Sequence, residues 1–273
     1  MALYREQGIV LRTYKLGEQD RILHLLTQGR GKVRAVAKGV RRPGSRFGGR
    51  LEPFSHVDLQ LYAGRSLDIV TQAELVTSFA AVREDFSLSA CGSVMVEAAD
   101  HLAQEDERSN RLFLLLLEGL RTLAATPATP AAVLDGYLFR LASVAGYHPY
   151  LDACANCGAP GPHSVFTIAA GGLLCADDAP FDAHPLDPAV AALLRRLLTG
   201  PLADQSDAPE DPRVRRAAAA LVASYLTYHL GRPLRALELV PRGEGDARVA
   251  GGRPAGAGRA GHDAVDASGR GSG

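Results

Sequence analysis

The spacing of apolar residues changes near Val76, and this change constrains the fold more than any other feature. Before it, apolar and polar residues alternate in short runs, a pattern typical of half-buried β-strands. After it, apolar residues recur at three- and four-residue intervals, which indicates helices. At 273 residues the chain is long enough for one or two domains. The sequence therefore predicts a multidomain α+β protein whose strands come first.

Five strands are predicted in the first part of the chain, and turns rich in glycine separate several of them. They cover residues 7–13, 21–27, 32–38, 54–62 and 67–73. In the third segment Val33, Ala35 and Ala37 alternate with polar neighbours, so one face is apolar. Five short strands with a long connection between the third and the fourth favour a closed OB-type barrel at residues 1–78. A five-stranded SH3-like barrel remains an alternative.

The helical region is predicted to cover residues 79–240. Helical spacing is found at residues 86–102, 108–123, 131–145, 188–198 and 212–230. Residues 149–185 are rich in Gly, Pro, Cys and Asp and have no amphipathic period, so they are predicted to form a small insertion. Residues 241–273 are rich in Gly, Ala and Arg, which predicts a disordered tail.

Positive charge is concentrated in the first fifty residues, although the whole chain has a formal net charge of zero. Those residues contain twelve Lys or Arg and three acids. Such a cluster repels itself unless an anion lies against it, and a nucleic-acid backbone is the obvious anion. A solubilising surface is the alternative. The candidate phosphate-binding residues are Arg30, Lys32, Arg34, Lys38, Arg41, Arg42, Arg46 and Arg50.

An aromatic residue, Phe47, lies inside this basic stretch. Aromatic rings flanked by cations can stack on bases while the cations hold phosphates, so Phe47 is a candidate DNA contact. The alternative is that Phe47 anchors the loop on the barrel. Tyr14 and Tyr62 are weaker candidates of the same kind.

Three of the four cysteines cluster in the insertion. Cys154 and Cys157 have C-x2-C spacing, and Cys175 follows with Asp178 where a second knuckle would place its fourth cysteine. Three thiolates and one carboxylate can complete a tetrahedral zinc site, and three thiolates favour a structural role. The other candidates for the fourth ligand are Asp177, His163 and His184. A degenerate knuckle without metal is the alternative.

A further group, Glu97, Asp100 and His101, has i, i+3, i+4 spacing on one predicted helix. This spacing could hold a metal, but Glu105, Asp106 and Glu107 follow closely, so a solvated helix face is the expected arrangement. No hydrolase or metalloprotease motif is found, and no histidine is paired with a nucleophile by spacing.

Several segments, taken together, resemble the bacterial recombination mediator family RecO. In the barrel they are LGEQDRI at residues 16–22, AKGVRR at 37–42 and LEPF at 51–54. The insertion has GYHPYL at 146–151, the C-x2-C-G knuckle and the glycine pair before Cys175, and YHLGRPLR follows at 228–235. The resemblance covers about residues 3–240, and the chain departs from the family's four-cysteine pattern at Asp178.

The resemblance implies an OB-fold, a helical domain and a zinc finger. It also implies binding of single- and double-stranded DNA, annealing of complementary strands, and loading of RecA on SSB-coated DNA with RecR. The partners would include the SSB C-terminal tail. We therefore expect a cytoplasmic, nucleoid-associated protein that is not an enzyme and does not contact membranes. The alternatives are a zinc-dependent nuclease and a sequence-specific DNA-binding regulator.

Overall fold

The computed structural model describes residues 2–206 and 211–242, and its first part is a closed five-stranded barrel. The strands are β1 (Leu3–Leu16), β2 (Asp20–Thr27), β3 (Gly31–Ala37), β4 (His56–Tyr62) and β5 (Asp68–Thr77). Their order around the barrel is β1-β2-β3-β5-β4; β3 and β5 pair in parallel and the other pairs are antiparallel. The predicted OB-like barrel is confirmed.

The barrel interior is filled by the apolar residues that alternate along the strands. Val33, Ala35 and Ala37 of β3 all point into it and are at most 7% exposed. Neighbouring strands contribute a matching set to the same core: Val10, Leu23, Leu25, Val57, Leu59, Leu61 and Val70. Alternation thus predicted the inner face correctly because successive side chains of a strand point to opposite sides.

Within the described residues, six α-helices follow the barrel. They are α1 (Ala80–Glu84), α2 (Phe86–Leu102), α3 (Asn110–Ala124), α4 (Pro130–Val144), α5 (Pro188–Thr199) and α6 (Pro212–Leu230). The start of α2 is fixed by Asp85, whose carboxylate accepts a 2.8 Å hydrogen bond from the backbone N–H of Leu88. The sequence did not predict the short helix α1. None of the helices in the described residues is long and apolar enough to cross a bilayer.

The predicted insertion lies between α4 and α5 and contains a small hairpin. Its strands are β6 (Val165–Thr167) and β7 (Gly172–Leu174). The backbone of Tyr150 pairs with this hairpin, because its N–H donates to Gly171 and its carbonyl accepts from Leu173. These bonds hold the segment that contains Cys154 against the segment that contains Cys175.

The barrel and the helices share an apolar core. Ile9, Leu11 and Leu26 of the barrel belong to the same buried cluster as α2, α3 and α4. Gly31 adds a close backbone contact, since a Cβ there would lie 2.1 Å from the carbonyl oxygen of Glu107, and its φ of +66° suits glycine. The barrel is therefore packed directly on the helical region, and its surface beside α2 is covered.

The end of the helical region differs from the prediction by at least two residues. Arg242 was predicted to belong to the disordered tail, but its guanidinium forms two hydrogen bonds with the buried carboxylate of Asp135, at 2.7 and 3.0 Å. The predicted tail from residue 243 onward lies outside the described residues.

Candidate functional site

The basic loop, which we define as residues 38–50, lies at the end of the barrel where β1 and β3 finish. It is attached to the turn between β1 and β2. The Arg41 guanidinium donates to the backbone carbonyl of Glu18 at 2.9 Å, and the Arg42 guanidinium donates to the side-chain oxygen Oε1 of Gln19. The backbone N–H of Gly39 donates to the Asp20 carboxylate at 2.7 Å. These bonds give the loop a defined position without neutralising its guanidinium groups.

The cations of the basic loop are exposed and lack acidic partners. These cations are Lys38, Arg41, Arg42, Arg46 and Arg50. Within residues 2–206 and 211–242, no carboxylate forms an ion pair with any of the five. Their contacts are to neutral groups, such as the hydrogen bond from Arg50 to the carbonyl of Arg46. Because like charges this close repel each other, the loop is suited to bind an extended polyanion.

Two of the candidate phosphate contacts, Lys32 and Arg34, are instead paired with acids of the helical region. The Lys32 ammonium lies 2.6 Å from the Asp100 carboxylate, and its side chain is only 18% exposed. The Arg34 guanidinium lies 2.6 Å from Glu105. These pairs join the barrel to the end of α2 and the loop after it, so DNA would have to displace a carboxylate to reach either cation.

The group of Glu97, Asp100 and His101 on α2 is not on the solvated face where it was expected. Glu97, Asp100 and His101 were expected on a solvated face, but their side chains are at most 13% exposed. Glu97 accepts hydrogen bonds from the backbone N–H groups of Arg235 and Ala236. Asp100 faces Lys32, Arg12 and His24 of the barrel: it pairs with Lys32 and Arg12, and the His24 ring nitrogen lies 3.9 Å from its carboxylate. This face of α2 is therefore a polar junction between the barrel and residues 235–236.

The structure also corrects the expectation for Phe47. Its side chain is 1% exposed and belongs to the barrel core, while the Arg46 guanidinium lies 4.9 Å from the ring centroid. A ring buried in this way cannot stack on a base, so Phe47 anchors the basic loop. The remaining candidate, Arg30, lies at the opposite end of the barrel over the ring of Tyr4, at 4.1 Å.

The predicted metal ligands come together in the insertion. The donor atoms of Cys154, Cys157, Cys175 and Asp178 all lie within 4.8 Å of one another. Asp178 Oδ2 is 3.2 Å from the Sγ atoms of Cys154 and Cys175, and the Sγ atoms of Cys157 and Cys175 are 3.7 Å apart. Tetrahedral zinc with Zn–S bonds of about 2.3 Å requires S···S separations of about 3.8 Å. The donor set therefore fits a tetrahedral metal ion.

Asp178 is the candidate fourth ligand that lies in the cluster. Asp177, His163 and His184 are not part of the cluster found among the described residues. The His163 ring nitrogen Nε2 lies 2.9 Å from the carbonyl oxygen of Ala159 instead. The proximity of Asp178 follows from the C-x2-D spacing, which mirrors a second knuckle.

Sequence reasoning missed Asn156, which lies between the two cysteines of the knuckle. Its side-chain amide donates a 2.6 Å hydrogen bond to Oδ1 of Asp178. The Cys157 thiol, the Asn156 amide and the thiols of Cys154 and Cys175 together hold the pKa of Asp178 well below its ordinary value. The carboxylate therefore stays ionised, with one oxygen turned toward the thiols. The position of Asn156 inside C-x2-C was the available signal.

Comparison with known proteins agrees with these features. A family model described as "Recombination protein O N terminal" matches residues 1–79, and one described as "Recombination protein O C terminal" matches residues 83–238. Relatives named DNA repair protein RecO occur in Thermobifida fusca, with 48% identity over 89% of this chain, and in a Nocardioides species, with 50% over 88%. The match covers 100% of each of these relatives. This chain belongs to the RecO family.

Proposed function

We propose that this chain is a DNA repair and recombination mediator that binds single- and double-stranded DNA through the basic loop and anneals complementary strands. The observation that carries the proposal is the set of exposed cations on this loop, which have no acidic partner among the described residues. Its relatives are named as DNA repair proteins, which supports a role in repair.

The proposed mechanism is charge neutralisation. Two complementary strands repel each other along their phosphate backbones, and cations that contact phosphates without reading base edges lower that repulsion. The Watson–Crick edges stay available for pairing. Because Lys32 and Arg34 are paired with acids, we assign phosphate binding to Lys38, Arg41, Arg42, Arg46 and Arg50 first, and to Arg30 only where a strand extends to the other end of the barrel.

The family supports a wider proposal about partners. We propose that the protein acts with RecR to promote RecA loading on SSB-coated DNA, that it contacts the SSB C-terminal tail, and that it works in the cytoplasm at the nucleoid. It does so by binding, without catalysing a reaction. The basic loop supplies the DNA contact in this scheme.

We also propose that the cluster in the insertion holds structural zinc. Cys154, Cys157, Cys175 and Asp178 would be the ligands, and zinc bound there would link the two segments that the hairpin holds together. A site with four protein ligands leaves no open position for a substrate, which supports a structural role rather than a catalytic one.

The experiment that tests the DNA proposal is annealing of two complementary oligonucleotides by the purified full chain at several salt concentrations. The DNA-binding constant is measured at the same salt concentrations. If about four phosphates of a single strand are engaged, the logarithm of this constant should fall with the logarithm of the salt concentration with a slope of roughly −3. A variant with Arg41, Arg42 and Arg46 changed to Ala should lose affinity and have a shallower slope.

The matched control removes the same charge from the helical region by changing Arg108, Arg111 and Arg121 to Ala, which are exposed. It should anneal like the wild type. Equal losses in both triple variants would indicate that net charge, and not the basic loop, sets the affinity. A wild-type affinity that does not depend on salt would contradict the proposal as a whole.

A further inference from the structure

We propose that Tyr14 is a base-stacking residue for single-stranded DNA, and that its ring receives a nucleobase of the strand whose phosphates lie on the basic loop. The inference rests on the proposed function and adds the residue that contacts the bases. It arises from the position of Tyr14 on the outer face of the barrel, where α2 stops covering the strands.

The strand register places Tyr14 one row beyond the junction with α2. Arg12 is paired with His24, and Tyr14 is paired with Ile22. Residues two apart on a strand share a face, so Tyr14 lies on the same face as Arg12. The carboxylate of Asp100 on α2 lies 3.5 Å from the Arg12 guanidinium and covers that row. In the next row Tyr14 is 46% exposed.

The surroundings of Tyr14 are apolar and partly aromatic. The His24 ring packs beside it, with ring centroids 5.1 Å apart and an interplanar angle of 59°. Leu16, two residues further along β1, is 39% exposed, and Ile22 on β2 is half-buried. These side chains form a small apolar surface with a supported ring, and a ring supported in this way offers a flat face for a base.

This apolar surface ends where the basic loop is attached. The turn between β1 and β2 begins directly after Leu16, and the carbonyls of Gly17 and Glu18 accept hydrogen bonds from the Arg41 guanidinium. Tyr14 is three residues from Gly17, a distance of about 10 Å along an extended strand. A strand whose phosphates contact Arg41 and Arg42 can therefore place a base over Tyr14.

Other aromatic residues of the barrel are less suited to this role. Phe47 is buried in the core. Tyr4 is covered by Arg30 on its ring and donates a hydrogen bond to Asp68. Tyr62 is 37% exposed but is the last residue of β4, at the end of the barrel opposite the basic loop. Within the described part of the barrel, Tyr14 is thus the strongly exposed ring on the side of the loop.

The chain contains no tryptophan, which allows a direct test. Tyr14→Trp introduces a single indole, and its fluorescence should be quenched in a saturable manner by a short oligothymidylate, because a stacked base quenches an indole. The same oligonucleotide with abasic sites throughout should bind but leave the fluorescence nearly unchanged. Tyr62→Trp is the matched control, and neither oligothymidylate nor the abasic strand should quench its fluorescence. Unquenched Tyr14→Trp fluorescence at saturating oligothymidylate would overturn the proposal.

Affinity measurements provide the second readout. Tyr14→Ala should weaken binding of oligothymidylate about 5- to 100-fold, whereas Tyr14→Phe should bind like the wild type. Neither change should alter the salt slope, because no phosphate contact is removed. Tyr14→Ala should also bind the abasic strand as tightly as the wild type does. An equal loss on the abasic strand would show that Tyr14 acts on the fold or on the backbone and would overturn the proposal.

The two proposals fail in different ways. If the wild type binds with a steep salt slope and Tyr14→Ala binds equally well, the stacking proposal fails and the DNA-binding function stands. If the wild type shows no salt-dependent binding, the proposed function fails, and the stacking proposal fails with it.

Discussion

Asn156 donates a 2.6 Å hydrogen bond from Nδ2 to Oδ1 of Asp178, and the other carboxylate oxygen of Asp178 faces the sulfur atoms of Cys154 and Cys175 at 3.2 Å. The amide thus assigns different roles to the two oxygens: one is held by the protein and the other is directed at the ligand cluster. In the proposed zinc site, where three ligands would be thiolates, this bond would orient the fourth.

Removal of this bond should therefore weaken metal binding. Asn156→Ala should lower zinc affinity about tenfold or more, because partners that orient metal ligands typically contribute 10- to 100-fold. Competition with a chromogenic chelator measures the affinity. In the Asp178→Cys background the same change should have little effect, since a thiolate needs no such orientation. A similar loss in both backgrounds would show that Asn156 supports the knuckle's fold instead.

The Asp178→Cys variant should itself bind zinc more tightly than the wild type. A thiolate is a softer ligand than a carboxylate and completes an all-cysteine site. The Co²⁺-substituted proteins allow the ligand change to be followed, because an added thiolate should increase the sulfur-to-cobalt charge-transfer absorption. Asp177→Cys serves as the control, since Asp177 lies outside the cluster. Equal zinc affinities for the wild type and Asp178→Cys would contradict the assignment of Asp178 as a ligand.

The Lys32–Asp100 pair should make stability depend on pH. Burial alone would raise the pKa of Asp100, but the neighbouring side chains of His24, Lys32 and Arg12 hold it well below its ordinary value. The pKa of Asp100 in the folded state lies below its value of about 3.9 in the unfolded state. The stabilisation that the charged pair contributes is therefore fully present at pH values above about 3.9 and is lost as the pH falls toward the folded-state pKa. Asp100→Asn should lower the free energy of unfolding by about 3 kcal/mol at pH 7.

The difference between the wild type and Asp100→Asn should therefore narrow as the pH is lowered below about 4. Urea unfolding at a series of pH values measures it. Asp106→Asn, in the exposed loop after α2, is the control and should change stability by less than about 0.5 kcal/mol. If the difference in the free energy of unfolding between the wild type and Asp100→Asn stayed constant from neutral to acidic pH, the charge of Asp100 would not contribute to stability.

The periodicity of the sequence predicted the elements but not which of their faces meet. Strand alternation and helical spacing are local properties, so the barrel and five of the helices could be found from them. Lys32 and Asp100, however, are 68 residues apart in the chain, and nothing near either one indicates the other. For the same reason the face of α2 that carries Glu97 was expected in solvent, although it packs against Arg12. The cluster of Cys154, Cys157, Cys175 and Asp178 was predictable because the spacing within each of its two segments is short.

Phe47 illustrates the same limit, since a lone aromatic residue among arginines can be an anchor or a contact. Its burial leads to a stability prediction. Phe47→Ala should destabilise the protein by about 3–5 kcal/mol, as large-to-small changes of buried aromatic residues do. Phe47→Leu should lower the free energy of unfolding much less than Phe47→Ala does. Thermal unfolding measures both, and Phe47→Leu should still bind DNA. Lost DNA binding with unchanged stability in Phe47→Leu would return Phe47 to the list of DNA contacts.

The pair of Asp135 and Arg242 should fasten the last described residues to the helical region. Asp135 is 3% exposed, and burial raises its pKa although Arg242 opposes this effect. Replacing Arg242 by Ala removes two hydrogen bonds from a buried carboxylate, and replacing Asp135 by Ala removes the carboxylate partner of Arg242. Each change should therefore lower the free energy of unfolding by about 3–5 kcal/mol, measured by urea unfolding.

The double variant Asp135→Leu/Arg242→Met separates the cost of an unpaired buried charge from the value of the pair itself. A buried ion pair can be replaced by apolar side chains at little cost, so the double variant should be more stable than either single variant. If Arg242→Ala alone were as stable as the wild type, Arg242 would not stabilise the helical region. That result would support the predicted end of this region at residue 240.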